Sequence, residues 1–143
     1  MGMYTQIRGW LNVDSIGGYN QTNFKEICDK VEQAKEEFGW DDSILDICGE
    51  PLERKWVCND TCVHGGGNGS VYIFIGTELK NYGCPAEIWI KYLLNKFPNA
   101  EGRIDFQYEE DEETCKCWEI YKGKIAEKDV PRWCYGYGNQ YGK

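Results

Sequence analysis

The residues of this chain best suited to hold a metal or to act as nucleophile and base stand close together, in the run Cys58-Asn59-Asp60-Thr61-Cys62-Val63-His64. Two thiolates and an imidazole from Cys58, Cys62 and His64 would supply three ligands to zinc, with a fourth from Cys84 or Cys48. The spacing matches no familiar zinc finger, so ordinary reduced thiols at a strand end and loop are the competing reading. Cys115-Lys116-Cys117 is the other close pair. Residues two apart on a strand share a face, so both thiols are expected to pack as small apolar groups. His64 is the only histidine, which excludes chemistry that needs two. Carboxylates are plentiful, but no motif singles out a reacting group. The expectation is a protein without catalysis and without a required cofactor, zinc being the one metal its residues would suit.

Three other groups suit binding. Gly65-Gly66-Gly67-Asn68-Gly69 has the composition of a phosphate-cradling loop but lacks the Lys and Ser or Thr of a P-loop and precedes a strand, so it reads as a hairpin connection. The run Glu109, Glu110, Asp111, Glu112 and Glu113 reads either as a solubilising tip or as a negative prong for a basic groove on a partner. Aromatics exceed what the core needs: Trp10, Tyr82, Trp133, Tyr135, Tyr137 and Tyr141 have no clear core position, and Tyr and Trp favour contact surfaces. Trp10 with Arg8, Arg54, Lys55 and Arg103 would hold a nucleotide, by stacking and phosphate contact, if the fold gathers them in one cavity.

Those groups have to be positioned by one compact domain. The chain has 143 residues with 41% hydrophobic and 15% aromatic content, read as a single α+β domain over residues 1–128 and a Gly/Tyr-rich tail over 129–143. The net charge is −8, from 24 acids against 16 bases. That balance disfavours direct binding to duplex nucleic acid and favours a basic protein partner. No stretch approaches the roughly 20 apolar residues of a membrane span, and the first twenty residues include Arg8, Asn12 and Asp14, unlike a secretory leader. The eight cysteines and the sequons at Asn20, Asn59 and Asn68 would suit a secreted disulfide protein, but the missing leader makes the cytoplasm the expected location.

Alternation predicts a strand over residues 4–13, with Thr5, Ile7, Gly9, Leu11 and Val13 on one face. Phe24, Ile27, Cys28, Val31, Ala34 and Phe38 predict a helix over 24–38, opened by an Asn23/Glu26 capping box and closed at Gly39. Short strands are expected over 43–48 and 54–58, then a loop over 59–69. Residues 71–76, apolar on both sides, predict a central strand covered on both faces. Pro85 opens a second helix with the stripe Ala86, Trp89, Ile90, Leu93, Leu94 and Phe97, and strands follow over 103–108 and 114–121. The economical packing is an α+β ferredoxin-like split β-α-β sandwich. It has a mainly antiparallel sheet, two helices on one face and an extra C-terminal hairpin strand. An unpaired sheet edge would leave homo-oligomers open.

Part of this order has a family likeness. Tyr72-Ile73-Phe74, a short loop to Pro85, a helix ending at Phe97-Pro98, a strand ending Tyr108-Glu109, and Trp118 before Lys122-Gly123 resemble the ferredoxin-like domain of small phage and plasmid proteins of the Api92/YubB type, over about residues 70–125. The resemblance implies a small accessory protein of a mobile element, with no catalytic residues to carry over. On that footing the expected function is inhibition of a host defence or nucleic-acid-handling factor. The acids Glu109 to Glu113 with Trp133, Tyr135 and Tyr137 would form the contact surface. Sequestration of a nucleotide signal and a zinc-stabilised interaction module are the alternatives.

Overall fold

The computed structural model describes residues 4–14, 21–40, 51–65, 70–81, 83–109 and 113–132. Within them the chain forms β1 (Thr5–Asp14), α1 (Gln21–Trp40), α2 (Pro51–Asn59), β2 (Thr61–Gly65), β3 (Val71–Leu79), α3 (Pro85–Lys96), β4 (Glu101–Tyr108), β5 (Thr114–Tyr121) and β6 (Lys124–Pro131). The strands make one open, wholly antiparallel α+β sheet in the order β2-β3-β1-β4-β5-β6.

Alternation along each strand decides which side is buried. Ile7 and Leu11 of β1, Val71, Ile73, Ile75 and Leu79 of β3, Ile104 and Phe106 of β4, and Trp118 and Ile120 of β5 share one core. Ile27, Val31, Ala34 and Phe38 of α1, Val57 and Cys58 of α2, and Ala86, Trp89, Ile90, Leu93 and Leu94 of α3 join them. All three described helices therefore cover the same side of the sheet. The opposite side carries Gln6, Arg8, Trp10 and Asn12 of β1 beside Glu78, Gly76, Phe74 and Tyr72 of β3, in register. This corrects the expectation that residues 71–76 are covered on both faces: Phe74 is 41% exposed and Gly76 is exposed too. Continuing the pattern to Glu78 gives the reason, since a carboxylate has no place in a second apolar layer.

Three further expectations change. Residues 54–58 are helical, and the helix count of two becomes three among the described residues. The buried set Glu53, Arg54, Val57 and Cys58 has helical spacing, disguised in the sequence because two of its members are charged. Part of the expected loop over 59–69 is the edge strand β2, paired to β3 from Thr61↔Ile75 to Gly65↔Val71. α1 begins at Gln21 and runs to Trp40, so Asn23 and Gly39 lie inside it and do not cap it. The strand expected over 43–48 lies outside the described residues.

Buried hydrogen bonds tie the helices to the sheet. The Trp89 ring N–H donates to Thr61 Oγ1 at 2.9 Å, and that hydroxyl donates to the Val57 carbonyl at 2.8 Å. Asn81, at φ 58°, accepts from the Ala86 amide at 3.0 Å and donates its side-chain N–H to Glu87 at 2.7 Å. Its backbone amide donates to Glu53 Oε1 at 3.1 Å. Asn81 thus satisfies an orphan amide of α3 that its N-cap residue, Cys84, leaves without a side-chain partner. A two-residue turn, Lys122 (φ 49°) and Gly123 (φ 74°), joins β5 to β6 with the positive angles of a type I′ hairpin.

β1 and β4 approach each other with no room for a side chain at Gly102. A Cβ there would lie 2.0 Å from the Trp10 carbonyl oxygen. Gly102→Ala is expected to destabilise the fold by about 2–3 kcal/mol or more through forced strand separation. Gly76→Ala, whose Cβ would meet only Arg8 Cδ at 4.0 Å, should stay within about 0.5 kcal/mol of the parent. Urea unfolding of the two variants checks this.

Candidate binding face

The side of the sheet that no described helix covers is the candidate site. β1 and β3 place Trp10 opposite Phe74, and both side chains stay exposed, at 43% and 41%. Tyr72 meets Phe74 edge-on with ring centroids 5.2 Å apart. His64 of β2 lies edge-on to Phe74 at 5.3 Å and nearly parallel to Tyr72 at 6.5 Å. The aromatics thus form a band across β2, β3 and β1. The Trp10–Phe74 pair stands between two shallow hollows. One, of about 350 Å³, is lined by Arg8, Gly9, Trp10, Phe74, Ile75, Gly76 and Asp105. The other, of about 360 Å³, is lined by Trp10, Asn12, Ser70, Tyr72 and Phe74. Each is large enough for a small planar ligand.

The charged flank comes from β1 and β4. Arg8 lies opposite Asp105, and Arg103 lies opposite Trp10. Arg8 Nη1 donates to the carbonyls of Thr77 at 2.9 Å and Ile7 at 2.8 Å, which holds the guanidinium beside β3. Arg103 Nε donates to Asp105 Oδ1 at 3.0 Å, and this bond raises the Arg103 pKa further. Cys115 and Cys117 share a face and are buried, as expected, but on this side of the sheet and apart from the helical core. Burial, then a hydrogen bond to Asp105 and its charge, push the Cys117 thiol up to about 11. Burial, followed by the Asp105 charge, also raises Cys115.

The fold thus gathers Arg8, Trp10 and Arg103 of the proposed nucleotide set and separates Arg54 and Lys55 from them. Both sit on α2, in the layer behind the sheet. Arg54 is 1% exposed and donates to the Phe38 carbonyl at 2.8 Å, a structural bond that ends α1 against α2. Lys55 borders a separate cleft with Glu32, Lys35, Glu36 and Trp56. The metal trio is likewise divided. Cys58 is buried in the helical core, whereas Cys62 and His64 point to the open side of β2, with Cys62 Sγ 3.2 Å from His64 Nε2. Among the described residues no three His, Cys, Asp or Glu side chains converge as a metal site. Among the described residues, Cys28, Cys62, Cys84, Cys115 and Cys117 carry free thiols.

Of the acidic run, Glu109 and Glu113 are described. The Glu109 carboxylate accepts from the Tyr4 amide at 2.8 Å, and its own amide donates to the Tyr4 carbonyl at 3.0 Å. Glu110, Asp111, Glu112, Tyr82, Trp133, Tyr135, Tyr137 and Tyr141 lie outside the described residues. The aromatics that sequence reasoning missed are Tyr72 and Phe74, counted as core. Glu78, two and three pleats along the same face, is the signal that would have placed them outward. No described helix is long and apolar enough to cross a membrane.

The Cys117 proton is bound more tightly in the folded chain than in the unfolded one. Its contribution to stability is therefore whole below pH 9 and is lost as pH rises towards 11. Unfolding in urea at a series of pH values should show stability falling across this window. Cys117→Ala should remove about 2 kcal/mol of that fall. An equally steep fall in the variant would place its cause elsewhere.

The chain matches no family model, no curated protein and no solved structure.

Proposed function

We propose that this chain is a non-catalytic binding protein that holds a small nucleotide on the open face of its sheet. The observation that carries the reading is the Trp10–Phe74 pair, two exposed rings on adjacent strands between two hollows, with Arg8 and Arg103 alongside. Rings on the flat side of a sheet accept the face of a base, and a guanidinium suits a phosphate. The charge of −8 opposes a long polyanion more than a ligand with few phosphates. Sequestration of a nucleotide signal needs nothing beyond such binding.

The frame is best read as ferredoxin-like. The order β2-β3-β1-β4, with α1 after β1 and α3 between β3 and β4, supports a split β-α-β unit to which α2 and the β5–β6 hairpin are added. The phage or mobile-element context rests on the family resemblance alone.

A second reading is inhibition of a host factor with a basic surface. Its support is the anchoring of the acidic β4–β5 hairpin at both ends. Glu109 is tied to Tyr4, the Arg132 amide donates to the Glu113 carbonyl at 3.3 Å, and Arg132 Nη1 donates to the Tyr108 carbonyl at 2.6 Å. A negative prong on a fixed base meets a basic groove at a lower ordering cost than a loose loop would.

Titration with nucleoside mono- and diphosphates, followed by tryptophan fluorescence, separates the two. On the nucleotide reading the emission is quenched saturably, and Trp10→Ala and Phe74→Ala each weaken binding about 5- to 150-fold, the range for loss of one stacked base. Unchanged affinity in both variants would reject the face as the site.

A further inference from the structure

The two edges of the sheet are built differently. β6 carries Lys124, Glu127, Lys128, Asp129 and Pro131, the charges and proline that keep an exposed edge from pairing with another chain. β2, at the opposite edge, reads Thr-Cys-Val-His-Gly and has no charged side chain apart from any charge on His64 itself. Among the described residues its only strand partner is β3. An unblunted edge of this kind is a template for a second strand.

The open side of that strand presents a thiol and an imidazole with the spacing of a chelate. Cys62 Sγ and His64 Nε2 are 3.2 Å apart and both side chains are exposed. Zinc bonds of about 2.3 Å to sulfur and 2.0–2.1 Å to nitrogen at a tetrahedral angle require a separation of about 3.6 Å, within reach of a small rotamer adjustment. The rings of Phe74 and Tyr72 pack beside the imidazole and limit its orientations, as the surroundings of a metal ligand should. Among the described residues one chain supplies only two donors here, since Cys58 faces the helical core. A structural tetrahedral site needs four.

We propose that Cys62 and His64 are half of a site for zinc or a similar thiophilic cation, completed by Cys62 and His64 of a second copy paired antiparallel through β2. With Val63 facing Val63 across the two-fold axis, each Cys62 stands opposite His64 of the other copy, on one face. Directly opposed Cβ atoms lie about 4.5–5.5 Å apart. Two thiolates and two neutral imidazoles around a divalent cation form a neutral cluster, which adds no charge to the join between two acidic chains. The pairing extends the sheet and sets two aromatic bands side by side. It goes beyond the nucleotide reading and does not depend on it, because Trp10 takes no part.

The test uses the reduced full chain, titrated with Co²⁺ and then Zn²⁺, with absorbance and light-scattering mass recorded together. The expected result is a thiolate-to-cobalt charge-transfer band that saturates at one metal per two chains, a doubling of mass at the same stoichiometry, and loss of the band when zinc is added. Cys62→Ser and His64→Gln should each lose both band and dimer, while Cys84→Ser, at an exposed thiol elsewhere, keeps both. In the parent chain, zinc should protect Cys62 from alkylation, a readout that stands even if a variant fails to fold. Saturation at one metal per monomeric chain, no metal uptake, or uptake unchanged in both Cys62→Ser and His64→Gln would overturn the proposal.

Discussion

Successive residues of a strand point to opposite sides of a sheet, and the described helices of this chain cover one of those sides. Everything else follows from that asymmetry. The covered side takes Ile7, Leu11, Ile73, Ile75, Ile104 and Phe106 into a core shared with three helices. The other side receives the alternate residues of the same strands, so Trp10, Phe74, Arg8 and Arg103 are held in fixed register by hydrogen bonds whose stability comes from the far side. A surface positioned in this way has little freedom left to lose when a ligand binds.

The covered layer is held by polar contacts as well as by apolar burial. Trp89, Thr61 and the Val57 carbonyl form a chain of hydrogen bonds from α3 through β2 to α2. Glu53, Asn81 and Glu87 form another, extended to β4 where the Tyr108 hydroxyl donates to Glu87 at 3.0 Å. Burial, followed by the Glu87 charge, raises the Tyr108 phenol far above its ordinary range, so it remains a donor at any working pH. Buried hydrogen bonds of this kind favour one arrangement over near alternatives. Here they fix where α2 and α3 sit behind β2 and β3, the strands that carry His64, Tyr72 and Phe74.

The open side has the opposite character. Its charges are partnered in short range, Arg103 with Asp105 and Lys128 with Glu119 at 3.1 Å, and its rings lean on each other. Partly exposed pairs of this sort contribute little to stability.

Elements with strong period were legible in the sequence. The β1 alternation, the stripe of α3 with Pro85 at its start, and the pleats of β4 and β5 all rest on patterns that local sterics and burial enforce. Arg54 hid the helix α2, because a buried cation reads as surface until the carbonyl that accepts its hydrogen bond is known. Of the nucleotide set, Arg8 and Trp10 were separable from Arg54 and Lys55 only once the layers were in place. The metal trio failed for the same reason: Cys58 and Cys62 are neighbours in sequence but lie on opposite sides of the sheet. Spacing along a chain determines which residues share a face of one element. Which faces are covered, and which elements meet across them, depends on long-range burial, which tertiary structure alone decides.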